Sequence, residues 1–288
     1  MRRLAVLLFT ALWFCSAFAK TGKTPAFTSF DFPGAVDTQA TAITPSREIV
    51  GRYTSTDVVQ HGFILSKGNF SSIDVPGAIR TDAQNISPTG QIVGYYDTPD
   101  GGEYGYVLRD CQFTTITYPG ALLTVASGIG PDGEIVGGWL DSSGELHGFV
   151  LDNRGIFTVI DIPGAFDTVL AQTAAGRMVG AYGNFFNPPF NIHAFIMKDG
   201  DFQTIDFPGC DHSFLSSLNP QGDAVGGCLP FDGSPSHGYM VSKGQVSSIH
   251  FPGSLSDYAN GINPRGDIVG RYAGADLKNH GYLRMYKP

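Results

Sequence analysis

Short apolar runs and turn residues alternate along this chain, and no run carries the 3.6-residue stripe of an amphipathic helix. The stretch Ile73 to Tyr96, IDVPGAIRTDAQNISPTGQIVGYY, shows the unit. A Pro-Gly turn precedes a β-capable run, and a second turn at Ser87-Pro88-Thr89-Gly90 precedes another. Pro-Gly pairs recur with glycines at Gly34, Gly77, Gly120, Gly164, Gly209 and Gly253, a period of 43 to 45 residues. That period falls in the range of propeller-type repeats.

One unit reads as four strands. From Thr38 to Thr44 runs strand a; Pro45-Ser46-Arg47 turns the chain, and Glu48 to Tyr53 is strand b. A variable loop leads to strand c, His61 to Ser66; the two-residue turn Lys67-Gly68 leads to strand d, Asn69 to Val75. The a–b turn recurs at Pro88-Thr89-Gly90, Pro131-Asp132-Gly133, Pro220-Gln221-Gly222 and Pro264-Arg265-Gly266, while the fourth repeat has Ala174-Ala175-Gly176. Proline presets φ and glycine supplies positive φ at such turns. Apolar residues on both faces of b (Ile49, Val50) and c (Phe63, Ile64) suit strands sandwiched between neighbouring sheets. Gly51, Gly94, Gly137, Gly180, Gly226 and Gly270 recur in strand b, where a side chain is expected to block close sheet packing.

The pattern predicts an all-β fold: a six-bladed β-propeller of four-stranded antiparallel blades. The chain opens with a d-type strand, Phe27 to Phe32, and ends with a c-type strand, His280 to Met285. The N-terminal strand is therefore expected to complete the last blade and leave no exposed edge at the seam.

Composition adds context. Arg2 and Arg3, the apolar run Leu4 to Phe14 and Ala17-Phe18-Ala19 give residues 1–19 the form of a secretory signal peptide. Residues 20–26 then form a linker and 27–288 a single propeller, secreted or periplasmic, monomeric and without a membrane span. With 38 glycines, 18 prolines and only 15% charged residues, the chain suits many short strands and tight turns. A net charge of −8 with scattered Lys and Arg argues against a nucleic-acid partner. Three cysteines follow the leader, Cys111, Cys210 and Cys228. The last two can bridge within one repeat, or stand as free buried thiols; two cysteines without a nearby His pair make a poor metal site.

A histidine opens strand c at His61, His147, His193, His237 and His280, with Tyr104 in the second repeat. Asp31, Asp74, Asp161 and Asp206 precede Pro-Gly by two residues, with Thr117 and His250 completing the set. Counting inward from the c–d turn pairs His61 with Asp74, His147 with Asp161 and His193 with Asp206, Tyr104 with Thr117 and His237 with His250. Ring closure pairs His280 with Asp31. A His beside a carboxylate is half of a catalytic triad. A pair repeated blade after blade at the outside of the fold is, instead, a structural fastening of c to d.

The triplets His61-Gly62-Phe63, His147-Gly148-Phe149, His193-Ala194-Phe195, His237-Gly238-Tyr239 and His280-Gly281-Tyr282 resemble the HAF repeats of bacterial extracellular proteins. Tyr104-Gly105-Tyr106 departs from the pattern. The resemblance spans almost all of the chain after the leader. It implies export and a repeat fold, and no catalytic residue.

A site is expected on the face carrying the variable b–c and d–a loops. Thr38, Thr81, Thr124, Thr168, Ser213 and Asp257 stand four residues after each Pro-Gly glycine and read as structural hydroxyls or their substitute. One residue earlier the set varies: Asp37, Arg80, Leu123, Asp167, His212 and Ser256. Asp37, Arg80, Asp167 and His212 are the candidate ligand-binding residues at the channel mouth, with solvated loop residues as the alternative. Acidic loop residues Asp57, Asp97, Asp100, Glu103, Asp141, Glu145, Asp232 and Asp276 lack Ca²⁺-loop spacing, so no metal or cofactor is assigned. Phe185, Phe186 and Phe190 form an aromatic loop suited to a sugar or peptide, or to local packing. No G-x-S-x-G, H-E-x-x-H, P-loop or Rossmann motif occurs. The expectation is a binding or scaffold propeller for a carbohydrate or protein; the alternative is a hydrolase or lyase acting at the channel mouth.

Overall fold

The computed structural model describes residues 26–186, 190–230 and 233–286, which form 24 strands and no helix. The leader at 1–19, most of the linker at 20–26, and Asp232 lie outside the described residues. Ala26 already belongs to the first strand, Ala26–Phe30.

In the first repeat, strands a to d are Asp37–Ile43, Ile49–Thr54, Gln60–Ser66 and Asn69–Ile73, joined as an antiparallel meander. Strand d stops short of Val75 because Asp74 turns toward His61. Two sheets have four strands and two have eight. Each eight-stranded sheet is two successive meanders joined by one parallel residue pair, Leu123 with Glu103 or Ile192 with His212. The first strand, Ala26–Phe30, pairs antiparallel with the last, Asn279–Met285.

The core lies between successive meanders. Ala42, Val50 and Ile73 of the first pack on Ala83, Ile86, Ile92 and Tyr106 of the second. Val269 of the last repeat packs with Ala40, Ile43, Ile49 and Phe63 of the first, so apolar packing continues across the meeting of the chain ends. Burying each such aliphatic or aromatic side chain contributes about 1.5–3 kcal/mol.

Strand a carries a β-bulge in every repeat, for example between Ala126 and Gly128. The bulge corrects the reason for the strand-b glycines. A Cβ on Gly137 would lie 1.9 Å from the Val125 carbonyl oxygen, in its own sheet, and 3.0 Å from the Phe149 ring. Glycine is thus required by the bulged neighbour strand rather than by the adjacent sheet. Cys210 and Cys228 form a disulfide with 5.5 Å between Cα atoms, and Cys111 is free and exposed. Closing a loop of 18 residues stabilises by about 3 kcal/mol in the chain-entropy account.

Side chains just past the bulges meet across the centre. Gln172 Nε2 donates to Asn85 Oδ1 (3.3 Å), linking the fourth repeat to the second past Gly128. Beyond them Ile43, Ile86, Ile129, Leu218 and Ile262 form a buried collar, rimmed by the prolines of the a–b turns.

Candidate functional site: a central cavity with one charged wall

On the opposite side of this floor lies a cavity of about 480 Å³. Residues of every repeat line it, and most come from the third and fifth positions of strand a or from the strand-b residue after the conserved-position glycine. Strand alternation turns these positions to one side of each sheet.

The four residues expected at the mouth sit on the same side of strand a, one step further out, and do not line this cavity. Each is bonded to the neighbouring backbone or loop. Asp37 accepts the Asn279 amide (2.8 Å) and Gln39 Nε2 (3.1 Å). Asp167, only 3% exposed, accepts the amides of Leu146 (2.9 Å) and Phe185 (2.7 Å). His212 Nδ1 accepts the Ile192 amide (3.2 Å), and burial pushes its pKa down. Asn279, Leu146 and Ile192 all start strand c of the preceding repeat, so three of the four join successive repeats. Arg80 donates to the Tyr95 hydroxyl (2.6 Å) and to Asp97 (3.4 Å).

The charged wall comes from the sixth, first and second repeats. Arg52 donates to Asp82 (2.9 Å) and to Gln39 Oε1 (2.9 Å). Asp82 is fully buried and also accepts from Gln60 (2.8 Å) and Gln84 (2.8 Å). The Asp82 carboxylate raises the Arg52 pKa against the opposing effect of burial, so the guanidinium stays charged. Burial, aided by Asp82, pushes the Tyr95 phenol well up and keeps it neutral.

Arg271 differs. Its guanidinium lies 4.1 Å over the Tyr258 ring and donates to the neutral Asn279 Oδ1 (2.8 Å). Among the described residues it makes no ion pair. Burial lowers its pKa, Tyr258 and the Asp37 carboxylate oppose that shift, and nearby Arg52 adds to it. The facing wall is apolar: Val169, Leu170, Ala181, Phe214 and Leu215, with Phe185 and Ile192 above. Phe186 and Phe190 stand exposed on the same loop.

The sequence reading stopped at the first position of strand a and missed Arg52 and Arg271. A signal was present. The residue after each strand-b glycine runs Arg52, Tyr95, Gly138, Ala181, Gly227, Arg271, as irregular as the set chosen.

At the periphery, the histidines meet their carboxylates through Nδ1. His61–Asp74 is 2.7 Å, His147–Asp161 3.0 Å, His193–Asp206 2.8 Å and His280–Asp31 3.0 Å. The imidazoles of His61, His147 and His280 also stack on Tyr53, Trp139 and Tyr272 of strand b. For His280 burial alone lowers the pKa, but bonds to Asp31 and Asp276 outweigh it and the net shift is upward. Thr38, Thr81, Thr124, Thr168, Ser213 and Asp257 each accept the amide six residues earlier, at 3.0–3.2 Å. These bonds satisfy the amide just before each Pro-Gly pair, not the start of strand a.

No family model and no curated protein matches this chain. Solved structures do. AofleA from Arthrobotrys oligospora aligns with a TM-score of 0.58 at 12% identity over 93% of this chain and 88% of its own. A putative TolB from Agrobacterium tumefaciens aligns at 0.58 and 12%, over 87% and 91%. The Aleuria aurantia lectin in complex with Fucα1-6GlcNAc aligns at 0.56 and 12%, over 86% and 91%. Such identities speak to the fold, which is that of the β-propellers.

Proposed function

We propose that this is an exported six-bladed propeller of the HAF-repeat kind that binds an acidic carbohydrate in its central cavity. Each meander counts as one blade, and the pairing of Ala26–Phe30 with Asn279–Met285 supports closure by the N-terminal strand. Export rests on the basic and apolar character of residues 1–19. Lectins among the structural neighbours support a binding role for the scaffold.

The observation that carries the ligand class is Arg271. A half-buried guanidinium with an aromatic platform and no carboxylate partner gains an ion pair when an anion enters. A uronic acid fits both walls, its carboxylate on Arg271 and Arg52 and its ring face on Phe214 or Phe185. The cavity volume lies in the range of small-ligand sites. The hydrolase or lyase reading is less well supported. Among the described residues of the charged wall the one carboxylate, Asp82, is buried and spent on Arg52, Gln60 and Gln84, so the paired carboxylates of glycoside hydrolysis have no counterpart here.

Titration calorimetry with uronate-containing and matching neutral oligosaccharides tests the reading. Arg271→Gln should weaken uronate binding at least about tenfold, the scale of one lost charge-assisted contact of roughly 1.5–3 kcal/mol. Binding of neutral sugars only, or binding indifferent to Arg271, would overturn it.

A further inference from the structure

The fifth repeat breaks the peripheral fastening in a way that makes a different site. Elsewhere three positions come together as imidazole, carboxylate and hydroxyl: His61, Asp74 and Thr81; His147, Asp161 and Thr168; His193, Asp206 and Ser213; His280, Asp31 and Thr38. In the fifth repeat the same three positions are His237, His250 and Asp257. The carboxylate has moved to the inner position, and a second imidazole stands where it was.

The ligand atoms of His237, His250 and Asp257 all lie within 4.8 Å of one another. The two rings meet edge to face at 4.4 Å, and His250 Nδ1 is 3.7 Å from Asp257 Oδ2. His237 Nδ1, the atom bonded to Asp in four other repeats, is buried and has no hydrogen-bond partner. A buried polar atom without a partner is costly, and it belongs to the residue that shares this cluster with the other two groups. Asp257 is 1% exposed. It is held by the Gly238 amide on Oδ1 (2.9 Å), and on Oδ2 by the Phe251 amide (3.2 Å) and the Ser254 hydroxyl (2.9 Å). Three of its roughly four lone-pair positions are thus used, leaving one.

We propose that His237, His250 and Asp257 bind a divalent transition-metal ion of the zinc type. Two imidazoles and one carboxylate are a zinc-type donor set, and three protein ligands leave a coordination position for water or a ligand. Zn–ligand bonds of about 2.0–2.1 Å require tetrahedral ligand atoms about 3.3 Å apart. His250 is half exposed, so its ring can swing the remaining distance without disturbing the core. The hydrogen bonds to Asp257 act as the second shell that fixes a ligating carboxylate. A second cluster, Asp141, Glu145 and His147, does not share this character. Asp141 is occupied by Ser143 and the Glu145 amide, and His147 Nδ1 by Asp161.

The test uses the purified full chain, stripped with chelator and titrated with Zn²⁺ by calorimetry, with Co²⁺ as a spectroscopic substitute. One equivalent of Zn²⁺ should bind, and Co²⁺ should develop the visible absorption of a low-coordinate nitrogen–oxygen site. Asp257→Thr installs the residue of four other repeats, and His250→Thr installs that of the second repeat at Thr117; both substitutions are compatible with the frame. Each should weaken Zn²⁺ binding at least tenfold and abolish the Co²⁺ bands, with circular dichroism unchanged. Absence of saturable binding would overturn the proposal, as would unchanged affinity in a folded His250→Thr variant. The latter would place the ion elsewhere.

Discussion

The two walls of the cavity stand on the same frame and have opposite chemistry. Behind Arg52 and Asp82, and equally behind Val169 and Phe214, strand a carries the same bulge, the same inner hydroxyl and the same strand-b glycine. The frame consumes its own side chains in backbone bonds, as do Thr41 and Asn260 at the fifth position of strand a, while the third position is left free to vary. Gln39, Asp82, Val125, Val169, Phe214 and Tyr258 occupy equivalent sites and share no property. On the proposed reading, what differs between the walls serves ligand choice, and what is common is a property of folding.

This division can be broken most severely at the frame. Gly137→Val sets a side chain against the Val125 carbonyl and should cost more than about 4 kcal/mol. No soluble folded protein is expected on expression, and a cooperatively melting variant would show that the bulge is dispensable. Next comes an inward residue that also stabilises. Asp82→Ala leaves Arg52 without its carboxylate, with Gln39 as its remaining partner, and removes the acceptor of two side-chain amides; with Arg52 partly exposed the expected loss is about 3 kcal/mol, read by urea unfolding. A loss below about 1 kcal/mol would mean that the charged wall serves ligand alone. Beneath the apolar wall, Thr168→Val removes the acceptor of the buried Ile162 amide and should cost about 1–3 kcal/mol without changing ligand affinity. A matching loss of affinity would join frame and wall.

The smallest effect concerns sign. The His280 pKa is raised in the folded state, so its contribution is complete below the ordinary value of about 6.5 and fades as pH rises through the raised value. For His212 the pKa is lowered, so its contribution is complete above about 6.5 and fades as pH falls through the lowered value. Melting curves of His280→Gln and His212→Gln should therefore deviate from the parent at opposite ends of the pH range. The His280 deviation should stay under about 1 kcal/mol because Asp31 is 48% exposed. Deviations at the same end of the pH range would refute the assignment.

Much of the frame was legible because it repeats. Proline and glycine at fixed offsets reveal the turns by a local rule that one unit displays on its own, and the recurring strand-b glycine and hydroxyl mark fixed positions whose reasons, the strand-a bulge and the amide before Pro-Gly, appear only in the structure. The register of strands c and d followed from the two-residue turn Lys67-Gly68, and with it the placement of His61 against Asp74. The wall was not legible by the same means. Choosing among the first, third and fifth positions of strand a requires the depth at which each meets the axis, and that depth depends on all repeats together. Asp37 and Asp167 look like ligand groups in sequence, but successive strands bring a backbone amide onto each. Arg271 looks like an ordinary surface charge until Tyr258 appears beneath it.

The bond between Gln172 and Asn85 spans the centre beneath the cavity. On the proposed reading, a polysaccharide would then reach Arg271 by a terminus or a side branch rather than by threading through, and the number of ends, not the mass of polymer, would set how many copies of the protein a given sample can hold. Partial digestion of a polysaccharide ligand should then raise its capacity for this protein until the fragments become shorter than the pocket.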